Sequence, residues 1–428
     1  MTISQAAHVG DAVTPLQGVR VLEIGAFMAA PFGTMQLADL GADVVKVEDP
    51  AGGDPVRATG PFLDGESSPF VRLNRNKRSI ALDLKHDEGK RALRRILETT
   101  DVVVENLRPG TLSRLGFGFE EVHAINPRVV YVSASGWGQD GPLSALPGLD
   151  IMAQARSGLM SITGTAEGDP VKVGVPICDL VCGLYAALAT LAALRVREHT
   201  GTGQHVDVSL FESGASFAIW EAGRYFATGE IGKPLGSAHQ STAPYQAIRT
   251  GDGWVTVGAV TPKTWTGLCE ALDLPHLLDD PRYQDAFERH GHRDTLIPAI
   301  EESSRARTTA DVVSALDAAG VPCAPISDME QVFTDPHLAQ RNFFWDAPHP
   351  RLGTVRQVGS PLGLLATPPV RRSAGPLLGA DTEDVLRESG IDVETVERLL
   401  DRGVASVAQP TEAPANEEAD QVTSTPPV

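Results

Sequence analysis

Five short apolar runs in the first 135 residues, each followed by turn residues or a helical pattern, confine this chain to very few folds. They are residues 18–25 (GVRVLEIG), 42–48 (ADVVKVE), 78–84 (RSIALDL), 101–105 (DVVVE) and 128–135 (RVVYVSAS). Helical spacing separates them. Residues 31–40 open on a proline, which suits a first helical position, and residues 87–99 repeat apolar side chains at Ala92, Leu93, Ile96 and Leu97. Strands alternating with helices imply an α/β fold, a doubly wound, mostly parallel, Rossmann-like sheet.

Further along, residues 179–198 read as one long helix rich in Ala, Leu and Gly, a composition suited to close packing deep in the protein. Residues 205–210 read as a strand, and a helix follows to about residue 225. The character changes after Thr228, with a Gly-, Pro- and Ser-containing loop at 229–241. Runs at 245–249 and 254–260 flank Gly251-Asp252-Gly253, a hairpin signal. The expected organisation is therefore an N-terminal stretch 1–15, a large α/β domain over 16–228, a smaller α+β domain over 229–327, a return to the large domain over 328–403, and a disordered Pro- and Glu-rich tail over 404–428.

A net charge of −19 argues against a nucleic-acid surface. The four cysteines, Cys178, Cys182, Cys269 and Cys323, form no CxxC pair, which suits a reducing cytoplasm, and Cys178 and Cys182 read as packing residues rather than a metal site. Residues 1–15 lack the pattern of a signal peptide. Thr190 and Arg195 interrupt the longest apolar stretch, so no membrane span is expected.

The first strand-to-helix turn, GAFMAAPFG at 25–33, lacks the GxGxxG that a dinucleotide requires. There is no GxxxxGK[ST], no HExxH and no GxSxG. The informative stretch is 148–213, where Asp179 stands just after Pro176 at the apparent start of the long helix. Its plain reading is an N-cap. Against that stand the apolar surroundings and a second carboxylate upstream, Asp150.

The segments PLQGVRVLEIG, LGADVVKVEDPAGGD, NRNKRSIALDLK, VVVENLRPGTLSRLGFG, NPRVVYVSASGWGQDGP and GTGQHVDVSLFE together resemble the family III CoA-transferases, over roughly residues 16–400. The resemblance implies that Asp179 is the catalytic nucleophile and that Asp150, which falls where formyl-CoA transferase has an active-site glutamate, supports it. Backbone N–H groups near Asp179 are expected to stabilise oxyanions. For coenzyme A, the family pattern points to Phe27, Met28 and Ala29, to Leu82 and Lys85, to Asn106 and Leu107, and to Arg114 and Leu115, with Lys85 and Arg114 placed to meet phosphates. Oxalate-using members carry glutamine where Met28 stands. The family's glycine-run lid has its nearest counterpart in 236–241, giving Gly236, His239 and Gln240 as lid residues.

The resemblance further implies acyl-CoA, with succinyl-CoA as donor, and a small organic acid as substrates, no tightly bound cofactor, no metal, and an interlocked homodimer in which 201–213 and the following helix form the crossing link. Similar α-methylacyl-CoA racemases use a histidine beside the Asp150 position; here that neighbour is Leu149, which carries no proton. A non-catalytic CoA-binding relative is the third reading, and the retained Asp179 speaks against it.

Overall fold

The structure, a computed structural model, describes residues 13–408. Its central feature is a seven-stranded sheet. In chain order the strands are β1 (Arg20–Ile24), β2 (Asp43–Glu48), β3 (Arg78–Leu82), β4 (Val102–Glu105), β5 (Val130–Ser135), β6 (His205–Ser209) and β7 (Ala405–Ser406). They lie in the order β7-β3-β2-β1-β4-β5-β6, all parallel except the antiparallel edge β7. The order in which strands are added reverses about β1, so a topological switch point lies between β1 and β4, where doubly wound sheets bind ligands beyond the strands' carboxyl ends.

The helices that matter for the site are α1 (Ala29–Asp39), α2 (Asp87–Leu97), α3 (Asp150–Arg156), α4 (Ile177–Thr200) and α5 (Leu210–Ser216). Successive side chains of a strand point to opposite faces, and both faces here are covered. Leu22, Ile24, Val45, Ile80 and Val103 pack with Leu93 and Leu97 of α2. Val21, Val44, Val102, Val104 and Val132 pack with Leu37 of α1 and Ala186, Ala193 and Leu194 of α4. Burial on two faces is why these strands read as unbroken apolar runs rather than alternating ones.

Helices α1 and α4 meet through glycine. A Cβ added to Gly33 would lie 2.8 Å from the Gly183 carbonyl oxygen, and one added to Gly183 would lie 2.7 Å from the Ala29 carbonyl oxygen. Gly33 is about one turn into α1 and Gly183 about two turns into α4, so this contact brings the starts of the two helices side by side.

Four expectations are corrected. The long helix does not lie wholly inside, since Leu184, Tyr185, Leu188 and Leu191 are exposed. Nor is its apolar stretch cut short by Thr190 and Arg195, contrary to expectation. Its 24 residues are long and apolar enough to cross a membrane by length and composition, and half of that window is buried inside the fold. Thr190 does not break it because its hydroxyl donates to the Ala186 carbonyl at 2.7 Å.

The third correction concerns the C-terminal stretch. Val404 and Ala405 are buried, and Ala405 and Ser406 pair with Leu82 and Ala81, so residues 404–408 belong to the fold. The rest of the expected tail, 409–428, lies outside the described residues, as do residues 1–12.

The fourth concerns the domains. The chain forms two compact units. One runs through Ser157, takes in Val175–Phe217 and resumes at Asn342; the other joins Gly158–Gly174 to Ala218–Arg341. The second unit therefore starts before Gly229, ends after residue 327 and recruits a distant segment. Its local reason is the helix break at Phe217, where α5 ends and Ile219–Thr228 begins a new helix. Within this unit, Tyr245–Arg249 and Trp254–Gly258 form the expected hairpin, and Cys323–Pro325 adds a third antiparallel strand. Ile248, Val255, Leu268, Ile300 and Leu316 fill its core.

Candidate active site

Side-chain hydrogen bonds hold Gly25, Ala26 and Phe27 in the turn after β1. Lys46 Nζ donates to the Gly25 carbonyl at 2.8 Å. The Asn106 amide accepts from Ala26 N–H at 2.9 Å and donates to its carbonyl at 2.8 Å. Phe27 N–H donates to Asp54 Oδ1 at 3.2 Å, which holds Phe27 at φ +63°, a conformation disfavoured for a bulky residue. The Phe27 side chain is left 56% exposed.

Beneath this turn lies an ion cluster. Glu23 sits between Lys46 at 2.5 Å and Lys77 at 2.7 Å, and Lys46 also pairs with Asp54 at 2.8 Å. Burial alone would raise the Glu23 carboxyl, but the two ammonium groups outweigh it and hold it down at about 2.

The carboxylates of 148–213 behave differently. Pro176 occupies the N-cap position of α4, so Asp179 is the third residue of the helix and not its cap. The capping group comes from α3. Asp150 Oδ1 accepts from Cys178 N–H at 2.8 Å and Asp179 N–H at 3.2 Å, and its Oδ2 accepts from Gln154 Nε2 at 2.6 Å. Ile177 N–H donates to the Val175 carbonyl and Leu180 N–H to that of Pro176. All four N–H groups at the start of α4 are thus occupied, which corrects the expectation that they serve as oxyanion donors. Among the described residues no hydrogen bond or ion pair reaches the Asp179 carboxylate. Burial first, and the negative charge of Asp150 second, raise it to about 7.

The start of α1 lies across the glycine contact from that of α4. No side chain caps α1 and no acid sits in its first turn, so the N–H groups of Ala29 and Ala30 have no partner within the helix.

Two clefts open around the β1 turn. One, of about 590 Å³, is lined by Phe27, Met28, Val56, Arg72, Asp179 and Leu180 and is mainly apolar. The other, of about 350 Å³, is lined by Gly25, Ala26, Leu82, Lys85, Leu107 and Leu115. The candidates drawn from the sequence divide accordingly. Phe27, Met28 and Asp179 share the first; Leu82, Lys85, Leu107 and Leu115 share the second. Lys85 is exposed there, whereas Leu82 and Ala29 are core residues that offer backbone only. Asn106 is engaged by Ala26. Arg114 is exposed and donates to Thr111 Oγ1 at 3.0 Å.

Gly236, His239 and Gln240 belong to the second unit. There Ser241 N–H donates to His239 Nδ1 at 3.2 Å, and the ring stacks on Tyr245 at 5.1 Å. Asp54, Thr59 and Arg72 were not among the sequence candidates. Arg72 stands in a run with Arg75, Lys77 and Arg78, and nothing local sets it apart from them.

A doubly wound sheet with an unpaired, buried carboxylate in an apolar cleft at its carboxyl edge has the arrangement of an enzyme site. Known proteins sharpen this. The model of CoA-transferase family III matches residues 16–382. The chain is 37% identical over 396 residues to succinyl-CoA:glutarate CoA-transferase of Mus musculus, covering 92% of this chain and 91% of that one. It is 35% identical over 390 residues to succinyl-CoA:mesaconate CoA-transferase of Haloarcula marismortui, covering 89% and 98%. A solved CaiB/BaiF family protein from Brucella suis superposes with a TM-score of 0.81 at 33% identity, covering 88% of this chain and 99% of that one. The chain belongs to CoA-transferase family III and is a CoA-transferase.

Proposed function

We propose that this enzyme moves coenzyme A from succinyl-CoA to a small dicarboxylic acid, with Asp179 as the covalent relay. The observation that carries the mechanism is the Asp179 carboxylate itself, unpaired and raised to about 7 by burial and by Asp150, in an apolar cleft beside the uncapped start of α1.

An Asp179 oxygen attacks the thioester carbonyl. The C–S bond breaks, giving a mixed succinyl-aspartyl anhydride and CoA thiolate. The thiolate attacks Cγ of Asp179, expels succinate and leaves an aspartyl-CoA thioester. The acceptor carboxylate attacks the same Cγ and expels the thiolate, which takes the acceptor's acyl group from the new anhydride and restores the Asp179 carboxylate. Each step exchanges one activated acyl bond for another, so no nucleotide is needed. Ala29 and Ala30 N–H groups are the donors for the tetrahedral oxyanion. Asp150 keeps the N–H groups of α4 away from Asp179, so they do not stabilise its charge and lower its nucleophilicity. Coenzyme A lies across the β1 turn, with Lys85 and Arg114 toward its phosphates.

The choice of succinyl donor and dicarboxylate acceptor is supported by the relatives named above. The exposed apolar row Leu184, Leu188 and Leu191 on α4 supports a homodimer, which we take to be of the interlocked kind by family resemblance. A species that dissociates freely to monomer under mild denaturant would count against interlocking.

The direct test is an acceptor screen with succinyl-CoA and acetyl-CoA, read by mass spectrometry of the thioester products. Transfer to dicarboxylates without deuterium wash-in at the α-carbon of 2-methylacyl-CoA is expected. Wash-in without any acid acceptor would move the assignment to racemase chemistry.

A further inference from the structure

We propose that Arg72 is the specificity residue for the second carboxylate of dicarboxyl substrates, gripping the distal end of the acyl group while its other end reacts at Asp179. This rests on the transfer reading above and deepens it.

The cleft that holds Asp179 is lined by two arginines and little else that is polar. They differ in what holds them. Arg75 is paired in fork geometry, its Nε and Nη2 donating to the two oxygens of Asp39 at 3.0 and 2.6 Å. Arg72 has no carboxylate. Its Nη1 donates to the Ser68 carbonyl at 3.0 Å and to Ser68 Oγ at 2.5 Å, and among the described residues its Nη2 and Nε have no acceptor. The group is half-buried, and desolvation lowers its pKa from the ordinary arginine value. A guanidinium keeps its charge even so, and a half-desolvated one with two free donors fits a carboxylate in fork geometry.

Placement on this wall has a consequence for both halves of the reaction. Donor acyl group and acceptor acid are attacked by, or attack, the same Asp179 carboxyl, so they occupy one cleft in turn. Succinyl and glutaryl groups each carry a carboxylate at the far end of a short apolar chain. Met28, Val56 and Leu180 offer that chain an apolar wall, and Arg72 offers its end a cation. A monocarboxylic acyl group would leave the guanidinium desolvated and unmatched, a penalty that selects against it.

The test compares matched pairs that differ by one carboxylate: glutarate against butyrate as acceptor, and succinyl-CoA against propionyl-CoA as donor. In the wild type, kcat/KM favours the dicarboxyl member of each pair. In Arg72→Met that preference should fall about 100-fold, carried by KM for the dicarboxyl member rather than by kcat. Arg72→Lys, which keeps the charge but not the fork, should lose about tenfold, and serves as the readout if the Met variant does not fold. An unchanged preference, whether overall activity is kept or lost, overturns the assignment; that is also the outcome if Arg72 grips a phosphate of coenzyme A, because all thioesters then suffer alike. A wild type that transfers to no acid overturns the transfer reading instead.

Discussion

Two groups of carboxylates lie near the β1 turn, and they have opposite fates. Glu23 is wholly buried yet strongly acidic, because Lys46 and Lys77 stand within 2.7 Å of it. Asp179 is less deeply buried yet weakly acidic, because burial raises its carboxyl and the charge of Asp150 raises it further instead of opposing the rise. Burial raises both. What separates a structural carboxylate from a reactive one here is the counter-ion: two cations are paired with the Glu23 carboxylate, and among the described residues none is paired with that of Asp179. The first cluster then serves the second, since Lys46 and Asp54 hold the turn that presents Phe27 and Met28 to the Asp179 cleft.

Removing the reactive member has the largest effect. Asp179→Asn should reduce transfer by about 10⁴-fold or more while coenzyme A binding persists. Its effect on stability has the opposite sign to that of an ordinary carboxylate loss. The folded carboxyl titrates near 7 and its ordinary value is 3.8, so between those values the folded chain holds a proton that the unfolded chain has released. Wild-type stability contributed by this group is therefore greatest below about pH 4 and declines as pH rises to 7. The Asn variant should gain about 3 kcal/mol over wild type at pH 8 and nothing at pH 4 in urea unfolding.

Breaking the compensated cluster should do the reverse. Lys46→Met leaves Glu23 and Asp54 short of a cation in the interior and should cost about 3–5 kcal/mol in the same assay at pH 8. Gly183→Ala tests the contact that brings the two helix starts together, because its Cβ meets the Ala29 carbonyl. It should cost about 1–3 kcal/mol and lower kcat more than it lowers coenzyme A affinity. The smallest effect is expected of Asp150→Asn, which keeps the oxygen that caps α4 but removes the charge. The acidic limb of the kcat/KM profile, placed near pH 7 in the wild type by Asp179, should move down by about one pH unit.

Much of this was legible before the fold was known, for definable reasons. Strands covered on both faces are apolar runs, so β1 to β5 announce themselves, and Asp179 stands out as a charge in an apolar helix. β7 could not be seen, because two residues carry no periodicity. The segment Gly158–Gly174 could not be assigned to the second unit, because sequence reading follows chain continuity and that unit does not. Asp150 was legible as a partner of Asp179 but not as the cap of α4, a role set by tertiary contact. Arg72 is one basic residue among several, and only the distribution of acceptors around it distinguishes it from Arg75.

The central claim, that one uncompensated carboxylate is acylated and then thioesterified, has a direct measurement. The enzyme would be mixed with succinyl-CoA without acceptor, quenched, and digested for peptide mass spectrometry, with hydroxylamine added to a parallel sample. The account predicts a coenzyme A thioester on the peptide bearing Asp179, converted by hydroxylamine to a hydroxamate at that residue. Turnover to new thioester product while Asp179 stays unmodified would contradict it.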